Sequence, residues 1–217
     1  MPSLFYAFKP LLVSSLLCHA FITPVFAKTN KLPGESQPPL MKPSDISSLK
    51  VHDEILPVTE EESEIRFKVI QYRGQPLPET LENRLNNINN ENTALLLAFI
   101  KQHGWPQEKV VGKKAVDRAL FIARNSNKAV QQNLLPLLHE AFKKHELSGQ
   151  KLAEFTDVVL IGLKKKQRYG TQVAIVNREV VFNEIENIAK VDERRRSMGL
   201  MPLDDYKRLL RKMYKLD

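Results

Sequence analysis

Residues 78–106 read PETLENRLNNINNENTALLLAFIKQHGWP. Leu81, Leu85, Ile88, Leu95, Phe99 and Ile100 recur at three- and four-residue intervals, which places one apolar stripe along a helix. The opposite face carries Asn83, Asn86, Asn87, Asn90 and Glu91. Asparagine is a poor helix former, so packing of the stripe, rather than local preference, has to stabilise this element. Gly104-Trp105-Pro106 ends it: glycine can take the left-handed cap and proline blocks resumption. A one-sided helix of this length needs other helices to cover it.

The sequence downstream supplies them. A helix over 113–125 turns Ala115, Ala119, Leu120 and Ile122 inward. The next covers 128–145, burying Val130, Leu134, Leu138 and Phe142, with a kink expected at Pro136. Ser148 suits the N-cap of a fourth, whose Leu152, Phe155, Val159 and Ile161 face the core. After Gly162 the period changes. Tyr169, Thr171, Val173, Ile175 and residues 180–182 suit two short strands around Asn177-Arg178. A short helix over 191–198 stops at Gly199. Pro202 then opens a last helix that turns Leu203, Tyr206, Leu210 and Met213 inward. Upstream, 49–75 is ambiguous, but the Glu-rich lead-in at 59–64 favours a helix. The short connections favour antiparallel neighbours. The expected fold is mainly α, a compact helical bundle with a small β-hairpin in its C-terminal third, formed as one domain over 49–217.

The first 27 residues have the layout of a secretory signal peptide: Lys9, an apolar run over 11–22, and a small-x-small site at Val25-Phe26-Ala27. That run is too short to span a bilayer as a helix, so no transmembrane helix is expected in the mature chain. Leu17 before Cys18 argues against a lipoprotein site. Residues 28–48, with Pro33, Gly34, Pro38, Pro39 and Pro43, are expected to be a disordered linker. The protein is therefore expected to be exported, periplasmic or secreted. Its one cysteine, Cys18, lies in the signal, which excludes disulfides, a thiolate metal site and a thiol nucleophile from the mature chain. The net charge is +8, and residues 164–217 hold 14 Lys plus Arg against 8 Asp plus Glu. Such a balance in the cytosol would suggest nucleic acid. Export argues against nucleic acid and makes an anionic envelope component, or a protein partner, the better candidate.

Four pieces recur in order: Glu91-Asn92-Thr93 leading to His103-Gly104-Trp105-Pro106; Val111-Gly112; Gln167 with Tyr169-Gly170-Thr171-Gln172; and 191–195 followed by Met198-Gly199-Leu200, Pro202-Leu203 and Tyr206. Together they resemble a family of bacterial proteins catalogued only as a domain of unknown function. The resemblance implies a mainly helical fold with a small β element and no known reaction. Two departures stand out. The family often has histidine and acidic residues where this chain reads Arg124-Asn125-Ser126-Asn127, and aspartate where it has Asn89. If those groups serve a metal or a proton transfer in relatives, this chain has lost them.

Two functional readings follow. In the first the protein is a non-enzymatic binding domain. Lys164, Lys165, Lys166 and Arg168 steer an anionic partner toward Tyr169, Thr171 and Gln172, whose side chains offer directional donors and acceptors. Arg194, Arg195 and Arg196 extend that surface. In the second it is a hydrolase of cell-wall or carbohydrate material, with His103, Asp157 and Tyr169 as its polar residues. An exported effector acting on a host molecule is a third, weaker idea. The bland readings compete: His103 as a helix-end histidine beside a core Trp105, the lysine run as a solvated helix end, and Asp192 and Glu193 as partners of the arginines. His139 and His145 lie six residues apart, off the i, i+4 spacing of a helical ligand pair, so no metal is expected. No Ser-centred elbow, phosphate-binding Gly-rich loop or HExxH motif occurs, and nothing in the sequence calls for a cofactor. Convergence of His103, Asp157 and Tyr169 in one pocket would favour the enzyme; polar groups already hydrogen-bonded beneath a basic face would favour binding.

Overall fold

A computed structural model of the chain describes residues 56–72 and 75–216. The expected signal peptide and linker lie outside the described residues. Seven α-helices and one hairpin follow in order: α1 (Glu60–Gln71), α2 (Glu79–His103), α3 (Glu108–Asn125), α4 (Lys128–Lys143), α5 (Gly149–Gly162), β1 (Val173–Val176), β2 (Glu179–Phe182), a 3₁₀ turn (Ile188–Lys190), α6 (Val191–Ser197) and α7 (Leu203–Met213). The fold is mainly helical, with its only described sheet in the C-terminal third, as the periodicity predicts.

Local chemistry sets most boundaries. Thr59, Asn127 and Ser148 cap α1, α4 and α5 by accepting from the backbone N–H three residues on. The helix read over 113–125 begins earlier, at Glu108, and bends at Gly112, where the backbone leaves the helical region. Helices α4, α5 and α7 end in the same device. His145, Lys164 and Lys215 take positive φ, and the next N–H reaches back to Ala141, Leu160 and Arg211. A residue other than glycine thus stands three times where glycine is usual, and the charge of the two lysines suits the negative helix end.

The main core lies among α2, α3, α4 and α5, which pack in sequential pairs, with α3 also against α5. Leu96, Leu134, Leu138, Leu152 and Phe155 are fully buried there. Ala115, Ala119 and Ala123 form a buried line of small residues on α3, so its neighbours can approach closely. Trp105 is buried in this core, as the core-plug reading had it. Two inward assignments are corrected. Leu95 is half exposed and Leu96 takes the buried position beside Asn92 and Thr93, because α2 turns a polar strip toward α1. Met213 is also exposed, since α7 needs only Leu210 and the flank of Tyr206 to cover the hairpin.

The hairpin turns at Asn177-Arg178, both in the left-handed region, and pairs Val173 with Phe182 and Ile175 with Val180. That face joins Leu210, Tyr206, Tyr214 and Leu216 in a second, smaller core. Helix α6 is locked to the bundle by a close backbone approach. A Cβ on Gly149 at the start of α5 would run into the Met198 carbonyl, so only glycine fits there. The segment linking α5 to β1 lies between these two cores, and it carries the residues singled out above.

Candidate functional site: the α5–β1 turn

Asp157 projects from α5 into the turn and is fully buried. Its Oδ1 accepts from the N–H groups of Arg168 (2.6 Å) and Tyr169 (3.0 Å). Its Oδ2 accepts from the Thr171 N–H (2.9 Å) and the Thr171 hydroxyl (2.8 Å). Burial pushes the Asp157 carboxyl above its usual range, against the pull of those donors. Gln167, also fully buried, works from the other side. Its Nε2 donates to the carbonyls of Gln172 (3.0 Å) and Asn183 (2.8 Å), and its Oε1 accepts from the Gln172 N–H (2.9 Å). Its backbone bridges to Glu184 and Glu186 beyond the hairpin.

Helix α6 completes the clasp. Buried Arg195 donates to the carbonyls of Tyr169 (2.7 Å), Gly170 (3.3 Å) and Met201 (2.6 Å), and its guanidinium lies over the Tyr206 ring at 4.9 Å. Arg194 donates to the carbonyls of Arg168, Glu186 and Asn187. Asp192 accepts from the Leu203 N–H at 2.8 Å, which ties α6 to α7. Gly170 has φ of 66°, and a Cβ there would sit 2.8 Å from Leu203 and 2.9 Å from Ile185. Arg194 and Arg195, expected as salt-bridge partners of Asp192 and Glu193, therefore bind backbone carbonyls.

The candidate residues thus divide into two sets. Thr171, Gln172, Arg194 and Arg195 use their polar groups inside the clasp, and Tyr169 is buried, which raises its phenol pKa. Lys164, Lys165, Lys166 and Arg168 are exposed. Lys166 pairs with Glu184 at 3.2 Å; Lys164, Lys165 and Arg168 form no ion pair with a described residue. The clasp thus presents three cations on a braced turn. His103 is elsewhere, half-buried at the end of α2 against Phe99, with ring centroids 4.9 Å apart. No hydrogen bond among the described residues joins it to Asp157 or Tyr169. Open clefts of about 820, 410 and 450 Å³ are lined by none of the three.

The two family departures also find places. Asn89 accepts from Arg66 at 2.8 Å. The 124–127 segment is helix-end chemistry: Arg124 pairs with Glu154, Asn125 and Ser126 donate to carbonyls of α3, and Asn127 caps α4. A second buried polar cluster escaped the sequence reading. Fully buried Glu62 of α1 accepts from Arg66 (2.7 Å), from both Nη atoms of Arg118 (2.9 and 2.5 Å) and from Asn92 (3.0 Å). Its only sequence signal is a glutamate three residues before Ile65 on the same helical face. Among the described residues no group of three or more His, Cys, Asp or Glu is placed to hold a metal ion, and no helix is long and apolar enough to cross a membrane.

In the comparison with known proteins, a family model described as a family of unknown function, DUF6624, matches residues 49–217. No curated protein and no solved structure gives a significant match to the chain.

Proposed function

Because the chain belongs to DUF6624, a family of unknown function, its activity has to be argued from its own surface, and we propose that it is an exported binding module whose α5–β1 turn engages an anionic envelope component. The observation that carries this reading is the division of labour at the turn. Asp157, Gln167 and Arg195 are buried and occupied by backbone groups, while Lys164, Lys165 and Arg168 face outward without an ion pair among the described residues. Cations carried on a braced backbone attract an anion at a lower entropic cost than cations on a mobile loop, and the long range of their charge speeds encounter. The hydrolase reading finds less support. Its carboxylate, Asp157, already accepts from Arg168, Tyr169 and Thr171, and His103 has no hydrogen bond to it.

The test is sedimentation of the protein with phosphatidylglycerol vesicles and its retention on polygalacturonate, each across a salt series. Binding is expected to weaken steeply with salt. Replacing Lys164, Lys165 and Arg168 by Gln should weaken it on the order of a hundredfold at low salt, at about 1 kcal/mol per charge. Equal binding to neutral vesicles, or no effect of the triple replacement, would refute the reading. A single change separates charge from conformation. Lys164 has φ of 59°, a region costing a non-glycine residue about 1 kcal/mol. Lys164→Gly is expected to raise unfolding stability by up to about 1 kcal/mol while weakening anion binding. Urea denaturation and the same vesicle assay read the two effects separately.

A further inference from the structure

We infer that the cleft of about 450 Å³ between the start of α4 and the end of α5 is a subsite for a sugar acid, a monosaccharide unit bearing a carboxylate. The inference deepens the anion-binding reading, since Gly162 in this cleft lies two residues before Lys164. The volume suits one or two sugar rings. One wall is apolar, from Val158 and Ile161 of α5. The other is polar, from Ser126, Asn127 and Lys128 where α3 passes into α4.

Two buried amides line the space between. Gln131 is 7% exposed and Gln172 1%. Gln131 is fixed in orientation because its Nε2 donates to the carbonyls of Arg124 (2.8 Å) and Ser126 (3.0 Å). Its Oε1 accepts from no described residue and lies 3.8 Å from where a Cβ on Gly162 would stand. The cleft therefore offers a preoriented acceptor. Asn127 uses its side-chain oxygen to cap the Val130 N–H, which leaves its amide N–H groups as donors at the rim. Lys128, exposed beside it, has no ion pair among the described residues.

An acceptor, a donor, a cation and an apolar wall match the parts of a sugar acid: hydroxyl groups, a carboxylate and the C–H face of the ring. The alternatives match less well. A purely apolar ligand would bury Gln131 Oε1 without a donor, leaving a desolvated acceptor unsatisfied. An inorganic anion would meet that same oxygen lone pair and leave the apolar wall uncovered.

Titration of ¹⁵N-labelled protein with D-glucuronate reads the site directly. Shifts are expected at the side-chain amides of Gln131 and Gln172 and at the backbone of residues 158–162. Glucose, lacking the charge for Lys128, should bind about fivefold more weakly. Gly162→Leu should abolish the shifts by filling the cleft. Its Cβ would meet only ordinary contacts, and leucine suits a helix better than glycine, so its melting temperature should match or exceed the parent's. Shifts that spare Gln131, or that persist in Gly162→Leu, would overturn the inference. Its failure and that of the anion reading are distinguishable. If Gly162→Leu keeps full polygalacturonate binding while the triple neutralisation loses it, the basic turn stands and the cleft falls. If the triple variant keeps both the glucuronate shifts and full polymer binding, the cleft stands and the turn falls.

Discussion

Asp157→Ala is expected to lower the unfolding free energy by about 3–5 kcal/mol, enough to leave much of the protein unfolded at moderate temperature. The carboxylate accepts from three backbone N–H groups and the Thr171 hydroxyl, and it is fully buried. Alanine strips all of these donors of their partner where water has little access, at about 1–3 kcal/mol for each one left unsatisfied, less whatever the turn recovers by opening. Asp157→Asn sharpens the test. It preserves shape and one acceptor oxygen but turns an NH₂ toward N–H donors, so it should still destabilise by about 2 kcal/mol or more. Urea denaturation of the two variants measures both values. A hydrolase using Asp157 would behave otherwise, with Asp157→Asn fully folded and only its activity lost. A variant as stable as the parent would therefore remove the clasp as the reason for this aspartate.

From residue 78 on, the helices were legible because most carry their own period, whereas α1 was marked only by its Glu-rich start. The 78–104 helix, the Ser148 cap and the Asn177-Arg178 turn are local signals, and each stands at its predicted place, with Leu96 rather than Leu95 buried in the stripe. What could not be read is which polar residues face inward. Asn92 interrupts the stripe as a polar residue should not, yet it is buried, because Glu62 lies opposite and accepts its amide proton from 30 residues away in sequence. The same limit applies to Tyr169, Thr171, Gln172, Arg194 and Arg195. Their polar side chains read as surface for a ligand, whereas Tyr169 is buried and the rest bond to the protein's own backbone, to Asp157 or to one another. Nothing in sequence distinguishes a polar residue that satisfies a loop from one that satisfies a ligand. Of that surface, Lys164, Lys165, Lys166 and Arg168, whose long charged chains are costly to bury alone, were readable as exposed.

Glu62→Ala should cost about 3–5 kcal/mol, for a reason different from that at Asp157. Its carboxylate is the counter-charge of two guanidiniums, those of Arg66 and Arg118, which are 21% and 12% exposed. Both also lie near the Phe121 ring, at 4.4 and 5.5 Å. Without Glu62 two poorly hydrated cations face each other, and α1 loses the anchor that holds it to α2 and α3. Burial pushes the Glu62 carboxyl up, but the hydrogen bonds and charges of Arg118 and Arg66 outweigh it, and the group titrates below its usual 4.5. The folded state therefore holds its proton less tightly than the unfolded chain. Its stabilisation is complete above about pH 4.5 and is lost as pH falls through the folded value. Asp157 contributes with the opposite sign: its raised carboxyl takes up a proton earlier in the folded state, so acidification through that value favours folding. The two effects separate by comparing urea midpoints of the parent and Glu62→Gln from pH 7 to pH 3. The gap between them should be widest at neutral pH and close in acid. A gap independent of pH would mean that Glu62 does not stabilise this cluster through its ionised form, and would overturn the counter-charge account.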